Sequence, residues 1–275
     1  MTAFGLNHMT VSRLSTRQLF DIAKAVGCSG VELRNDLAGQ PFDGGAPETA
    51  AEISAQTGLA IFGLAELKSF NVKTSSRIAE AEALIAQAVA CGAGGVALIP
   101  HVGDSELPRA AQKEALKDAL EVLRPHLEKQ GITGLIEPLG FPTSTLRFKE
   151  DVVSVLSDMG NPSCFAIVHD TFHHCLAGET QAFAAQTAMV HVSGVVDPFV
   201  PVEEMQDAHR VLVDADDRLG NIAQLRALIA DGYDGPISVE AFSEEIHKLT
   251  DPVSALARSF AFITSHLAEE TAGAA

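Results

Sequence analysis

The chain has 275 residues and a mass of 28.9 kDa, and 47% of its residues are hydrophobic. Its 36 acidic residues outnumber its 19 basic residues and give a formal charge of −17, which disfavours nucleic acids and anionic membranes as partners. The sequence has no run of roughly 18 apolar residues that could span a membrane. Its N-terminus lacks the positively charged region of a signal peptide. We therefore expect a soluble, cytoplasmic protein.

Strand-like and helix-like segments alternate along the sequence. Short runs of β-branched and aliphatic residues predict eight strands, at 3–8, 30–34, 60–65, 95–100, 133–137, 164–169, 189–193 and 236–241. Between them the patterns predict a first helix that Ser15 caps and Gly27 ends, and further helices near 47–57, 77–91, 108–129, 148–159, 179–187, 221–231 and 252–269. This alternation is typical of a parallel sheet, and the count of eight favours closure into a (β/α)8 barrel, the TIM barrel.

The length of the chain suits one barrel of this kind, which typically has about 250 residues. No linker or change in composition divides the sequence, so we assign residues 1–275 to a single domain with a flexible tail at 268–275. An open dinucleotide-binding sheet is disfavoured because no glycine-rich phosphate motif follows the first strand. The segments 35–46 and 194–219 are too long for simple turns, and loops of that length commonly shape an active site.

Four predicted strands in the second half of the chain end in side chains that bind metals: Glu137, Asp170, His191 and Glu240. The C-terminal ends of barrel strands meet at one face, where active sites are built from several strands. A single acid at such a position is more often a helix cap or a solvated loop charge. Four together predict one anionic site, and three carboxylates with one imidazole suit a divalent ion such as Mg, Mn, Co or Zn.

The chemistry expected of such a site is proton transfer. An octahedral ion with four protein ligands keeps room for two substrate oxygens, a ketone and the adjacent hydroxyl. The ion would polarise the carbonyl and stabilise the enediolate that forms when the α-proton leaves. A carboxylate beside the two carbons can act first as base and then as acid. The sequence therefore indicates proton shuttling between adjacent carbons.

Other polar residues near the predicted strand ends are candidates for substrate binding. His173 follows Asp170 by three positions, where it either contacts substrate and carries a proton or is simply hydrogen-bonded in a loop. Arg210, in the 194–219 segment, would clamp substrate hydroxyls, orient a ligand carboxylate or pair with surface acids. Polar side chains at the ends of the first four strands face the same mouth: Asn7, Glu32, Glu66, Lys68 and His101. Glu32 has a second interpretation, a buried ion pair with Arg34.

At this point the chain resembles the xylose-isomerase-like TIM barrels of the sugar isomerase and epimerase superfamily, and within it the inosose (2-keto-myo-inositol) isomerases. The resemblance covers essentially the whole chain. The motifs that carry it are Val-Glu-Leu-Arg at 31–34, Leu-Ile-Glu-Pro-Leu-Gly-Phe-Pro at 135–142, His-Asp-Thr-Phe-His-His at 169–174, His-Val at 191–192, Arg-Val at 210–211, Ile-Ser-Val-Glu-Ala-Phe at 237–242 and His-Lys-Leu-Thr at 247–250.

The resemblance implies one divalent metal ion on the four strand-end residues and a role in carbohydrate metabolism, in inositol catabolism. It implies Glu137 and Glu240 as the acid/base pair, with His173 and Arg210 as substrate contacts. Two loops depart from the family. The segment 213–220 replaces a common Pro-Gly-x-Gly turn, and Ser-Gly-Val at 193–195 replaces a charged pair. Because both loops should contact substrate, the ring or chain that is isomerised can differ.

The leading hypothesis is a metal-dependent isomerase or epimerase of a non-phosphorylated keto-sugar or inosose, with a small keto-polyol as its partner. A dehydratase or decarboxylase of a keto sugar acid would use the same site and end the enediolate differently. A sugar-binding barrel without turnover is a third alternative, although Glu137 and Glu240 together argue against it. The sequence leaves the oligomeric state open, a homo-oligomer included.

Overall fold

The computed structural model describes residues 3–38, 41–103 and 107–273, the last five by their backbone alone. Its centre is a closed barrel of eight parallel strands in chain order, in which the last strand pairs with the first. The strands are β1 Phe4–Asn7, β2 Gly30–Arg34, β3 Ala60–Lys68, β4 Gly95–Ile99, β5 Thr133–Ile136, β6 Phe165–Asp170, β7 Thr187–Val192 and β8 Ile237–Val239. The predicted (β/α)8 barrel is confirmed.

Helices connect the strands. Within the described residues they are α1 Thr16–Ala25, α2 Pro47–Thr57, α3 Arg77–Cys91, α4 Arg109–Gln130, α5 Lys149–Asp158, α6 Thr171–Ala177, α7 Asn221–Ala230, α8 Glu244–His247 and α9 Pro252–Gly273. α1 begins with the predicted capping box, in which Ser15 and Gln18 each accept a hydrogen bond from the other's backbone N–H. The backbone of α9 continues to Gly273, through most of the tail predicted at 268–275. Residues 274 and 275 lie outside the described residues.

Two apolar layers support the barrel. The larger layer lies between strands and helices, where outward-facing Val31 and Leu33 of β2 belong to one cluster with Phe20 of α1. No helix in the described part of the chain is long and apolar enough to cross a membrane.

The smaller layer lies inside the barrel and joins Leu135, Val168 and Met189 with Phe62. The first three precede Glu137, Asp170 and His191 by two positions each and share their face of the sheet, because strand side chains alternate. This layer is therefore an apolar floor beneath the candidate ligands.

The helix predicted at 179–187 is wrong. α6 begins immediately after β6 because the carboxylate of Asp170 accepts a hydrogen bond from the His173 N–H and caps the helix. Gly178, with φ of 69°, ends α6. Phe183 has φ of 58°, which interrupts the predicted helix, and only a 3-10 turn at Ala184–Gln186 precedes β7. His173 therefore lies in the first turn of a helix rather than in a loop.

Both long predicted connections are found as irregular segments. Residues 35–46 contain a 3-10 turn at Pro41–Gly44, with residues 39 and 40 outside the described residues. The connection from β7 to α7 returns to the barrel, because Gly194 and Val211 exchange two backbone hydrogen bonds of 2.7 and 2.8 Å. That return places Arg210 beside the end of β7.

Candidate metal centre

The four predicted ligand residues lie together at the C-terminal ends of β5 to β8. Their ligand atoms are all within 4.8 Å of one another, and no residue of the four is more than 4% exposed. Nδ1 of His191 lies 3.2 Å from Oε2 of Glu240, 3.5 Å from Oε1 of Glu137 and 3.9 Å from Oδ2 of Asp170. Four strands thus bring one imidazole nitrogen and three carboxylates to one buried point.

Arg210 is the closest cation to this cluster. Its Nη2 donates to Oδ2 of Asp170 at 2.5 Å and to Oε2 of Glu240 at 3.1 Å. Its Nε donates to Oγ of Ser193 at 2.9 Å, and its Nη1 to Oδ1 of Asp207 at 3.2 Å. The side chain is 1% exposed. Arg210 therefore orients two ligand carboxylates, one of the roles the sequence left open.

Glu240 is also held from its other side. Its Oε1 accepts hydrogen bonds from Nη1 of Arg34 at 2.7 Å and from Nδ2 of Asn7 at 3.1 Å. Arg34 is fixed in turn by Asp36, which accepts two hydrogen bonds of 2.7 Å from its guanidinium. With Oε1 engaged in this way, Oε2 is the oxygen that Glu240 presents to His191.

The donor set fits a divalent cation. Nε2 of His191 lies 3.0 Å from Oε2 of Glu32, whereas its Nδ1 is buried and makes no hydrogen bond with any described residue. A buried nitrogen without a hydrogen bond requires another partner. One imidazole nitrogen facing three carboxylates is a set that borderline divalent ions bind.

Burial opposes ionisation of the ligand residues, and neighbouring charges decide the outcome. Burial raises the pKa of Glu137 to about 7, although His191 partly opposes it. At Glu240 burial is outweighed by His191 and Arg210, which hold its pKa well below the usual range. Burial would also raise the pKa of Asp170, but Arg210 lowers it. At His191 burial favours the neutral ring, yet the surrounding carboxylates raise its pKa well above 6.5. A metal would therefore displace protons from this centre.

A cavity of about 710 Å³ lies against the cluster, a volume typical of small-molecule sites. Glu137 and Glu240 line it, together with His173 and Arg210. Aromatic side chains form part of the wall, and the guanidinium of Arg210 lies 4.5 Å from the ring centroid of Phe242. Two of the candidate ligands therefore face a space that a small polyol can enter.

His173 projects into this cavity from the first turn of α6. Its ring makes edge contacts with Phe141 and Phe172, with centroids 5.0 and 5.1 Å away. Its Nδ1 is buried and has no hydrogen-bond partner among the described residues. The loop after β5 fixes the helix closely, since a Cβ on Gly140 would lie 2.2 Å from the carbonyl oxygen of His173. The ring is therefore held in place beside the cavity that it lines.

The remaining predicted substrate residues divide into two groups. Lys68 and His101 line the cavity, and Nδ1 of His101 lies 3.3 Å from Oγ of Ser69. Asn7 does not line it within the described structure. Its amide nitrogen donates to Glu240, and its amide oxygen caps the 3-10 turn after β1.

The ion pair considered between Glu32 and Arg34 is wrong. Glu32 contacts His191 and Ser238, whereas Arg34 contacts Asp36 and Glu240. The sequence did carry a signal for both, because Val-Glu-Leu-Arg at 31–34 places two charges on the inner face of a buried strand. Asp207 is one of the surface acids with which Arg210 could pair, and Ser193 lies in a loop that was expected to contact substrate. The hydrogen bond of Ser193 to Arg210 and the contact of Phe242 with Arg210 were not predicted, since these positions have no distinctive pattern.

Fold and site together define a class of protein, a TIM barrel with a buried carboxylate and histidine cluster at the C-terminal ends of its last four strands. Residues 20–266 match the family of xylose isomerase-like TIM barrels. The chain belongs to this family. No curated protein sequence gives a significant match.

Several solved structures have a fold similar to that of this chain. A xylose isomerase domain containing protein from Salmonella typhimurium LT2 is 28% identical, with a TM-score of 0.86 over 96% of this chain and 97% of that one. The IOLI protein, with a bound zinc atom, is 21% identical, with a TM-score of 0.84 over 98% and 99% of the two chains. An L-ribulose 3-epimerase is 18% identical, with a TM-score of 0.72 over 100% and 97%. The last two likenesses show the fold alone.

Proposed function

We propose that the protein is a divalent-metal-dependent isomerase or epimerase of a non-phosphorylated keto-sugar or inosose, which moves a proton between neighbouring carbons. The observation that carries this proposal is the placement of Glu137 and Glu240. They reach one ligand cluster from the ends of β5 and β8, and both line the same cavity. Two carboxylates that face one substrate can remove a proton and return it.

Glu137, Asp170, His191 and Glu240 would hold one Mg, Mn, Co or Zn ion. When bound, the ion supplies positive charge beside the substrate carbonyl and so lowers the cost of removing the α-proton. The zinc atom in the IOLI protein supports a metal in this fold.

Three side chains of the protein would transfer protons or bind the substrate. Glu240 is fixed by Arg34 and Asn7 at one oxygen and by Arg210 at the other, so it is oriented to exchange a proton with the substrate. Glu137 exchanges a proton with the neighbouring carbon. His173 donates to or accepts from a substrate oxygen through its ring, which lines the cavity, and the aromatic wall beside it limits access of water.

The charges of the cavity favour an uncharged substrate. The cations that line it are Arg34, Lys68 and Arg210, and the acids are Asp36, Glu66, Glu137, Asp207 and Glu240. Arg34 and Arg210 are each paired with two or more carboxylates. Only Lys68 has no ion pair within the described structure. A bound divalent ion would balance the remaining negative charge and leave no surplus of positive charge for a phosphate group, so we propose a neutral polyol.

Deuterium exchange in heavy water tests this function. Metal-loaded protein, incubated with a panel of ketoses and inososes, should exchange the α-proton of its substrate. Glu137→Gln and Glu240→Gln should lose about 10²–10⁴-fold in exchange rate, because the amide keeps an oxygen but cannot act as base. Glu179→Gln is the matched control, since that carboxylate pairs with Lys149 away from the cavity.

The products separate the alternatives. Exchange followed by loss of water or carbon dioxide would replace isomerisation by dehydration or decarboxylation on the same site. Binding of a ketose without exchange would indicate a sugar-binding barrel. Full exchange by both glutamine variants would remove the acid/base pair from the mechanism.

A further inference from the structure

A buried chain of hydrogen bonds lies behind His191, on the side away from the cavity. Nε2 of His191 is 3.0 Å from Oε2 of Glu32, and the other oxygen of Glu32 accepts a hydrogen bond of 2.5 Å from Oγ of Ser238. Glu32 is 3% exposed and Ser238 is fully buried. Three strands, β2, β7 and β8, each contribute one member.

None of these three residues lines the cavity within the described structure. Glu32 therefore does not face substrate, and its contacts must explain why a carboxylate is kept inside the barrel. An ionised carboxylate is costly to bury unless it is paired and hydrogen-bonded. The contacts that the structure gives Glu32 are His191 and Ser238, and Arg34, two residues away on β2, is directed to Asp36 and Glu240 instead.

The geometry separates the two nitrogens of the imidazole. Because Glu32 lies at Nε2, that nitrogen is the one that carries a proton to donate. Nδ1 faces the three carboxylates, where it has no hydrogen bond among the described residues, and its lone pair becomes available to a metal once its proton is displaced. Histidines that bind metals commonly donate their second N–H to a carboxylate, which fixes both the tautomer and the ring orientation.

We propose that Glu32, held by Ser238, is a positioning residue that sets Nδ1 of His191 as the metal-binding atom. This role rests on the metal centre of the proposed function. Ser238 acts one step further away, by orienting the carboxylate that orients the ring. The strand register places these residues together, since Ser238 lies directly beside His191 in the pairing of β7 with β8.

Binding of Co²⁺ to the metal-free full-length protein tests the proposal. Affinity is measured by calorimetry, and the visible absorption of Co²⁺ reports its ligands. Glu32→Gln should weaken binding about 10–100-fold and shift the absorption. Ser238→Ala should act in the same direction by a smaller factor. Asp151→Asn is the matched control, a buried acid of α5 that pairs with Arg109, and it should bind Co²⁺ as the wild type does.

A second measurement needs no variant of Glu32, should that variant not fold. The nitrogen shifts of His191 in the Zn²⁺-loaded, ¹⁵N-labelled wild type, assigned by their loss in His191→Gln, should show a protonated Nε2 and a metal-bound Nδ1. Metal on Nε2 would overturn the proposal. So would a Glu32→Gln protein that folds and keeps wild-type Co²⁺ affinity and absorption, because a purely structural role would change only its melting temperature. Wild-type protein that binds no Co²⁺ at micromolar concentration would refute the metal centre itself.

Discussion

Replacement of Arg210 by methionine tests whether buried charge balance holds the metal-free centre together. The centre contains four buried carboxylates, those of Glu32, Glu137, Asp170 and Glu240. Three buried cations face them, Arg34, His191 and Arg210, so the net charge is −1 when all seven groups are ionised. Without Arg210 the net charge is −2, and two carboxylates each lose a hydrogen bond.

The expected cost follows from the burial of this pair. Removal of one partner from a buried ion pair typically costs about 3–5 kcal/mol, because the other charge stays buried without compensation. At about 2 °C per kcal/mol for a protein of this size, the melting temperature should fall by roughly 6–10 °C. Arg109→Met is the control. Arg109 also pairs with two carboxylates and lies over a phenylalanine ring, but its side chain is half exposed, so it should lose at most about 1 kcal/mol.

Urea unfolding in EDTA at pH 8 measures the free energy of unfolding, and a thermal melt in the same buffer measures the melting temperature. Both are followed by far-ultraviolet circular dichroism because the chain has no tryptophan. Addition of Co²⁺ should reduce the difference in free energy of unfolding between Arg210→Met and the wild type, because the ion supplies the missing positive charge. If metal-free Arg210→Met is as stable as the wild type, the guanidinium does not compensate the carboxylates and this reasoning is refuted.

Four further predictions concern this centre and the helix turn beside it. His191→Ala should lose Co²⁺ binding, whereas His173→Ala should keep Co²⁺ binding and lose turnover. Calorimetry measures the binding and deuterium exchange measures the turnover. Loss of metal binding in His173→Ala would mean that His173, rather than His191, is the metal ligand. Since the pKa of Glu137 is raised to about 7 and that of His191 above 6.5, both hold protons that the metal displaces. Co²⁺ affinity should therefore rise from pH 6 to 8, about tenfold per pH unit for each proton released, and a flat profile would contradict this. Over the same interval the metal-free protein should lose stability, because raised pKa values in the folded state favour the protonated forms at low pH. Gly140→Ala should cost about 1–3 kcal/mol in urea unfolding, as its Cβ would overlap the His173 backbone, and unchanged stability would disprove that close contact.

The barrel was predictable because its strands are buried on both faces and read as short apolar runs. The helix predicted at 179–187 failed for a local reason. Its composition favours a helix, but the Asp170 side chain starts the helix earlier, and no propensity scale reveals which acid at a strand end will act as cap.

The candidate site was partly predictable. Glu137 and Glu240 each follow a recognisable strand, so their meeting at one face follows from the barrel itself. The supporting contacts were not predictable. Glu32 finds His191 across 159 positions of sequence, and the spacing of Glu32 and Arg34 equally allowed them to pair with each other. The ion-pair partners of Glu32 and Arg34 are determined only by the register of the strands in the folded barrel.

Closure of the barrel between β1 and β8 also has a consequence for synthesis of the chain. Asn7 and Glu240, which meet at this seam, are 233 positions apart. At about 5–20 residues per second, a ribosome that has added Asn7 needs roughly 10–50 s more to add Glu240. Until then one edge of β1 lacks its neighbour, and Glu32 and Arg34 lack the buried hydrogen bonds that they make with Ser238 and Glu240. A nascent chain that ends before β5 should therefore not fold stably, and it would offer an open strand edge to chaperones or to aggregation.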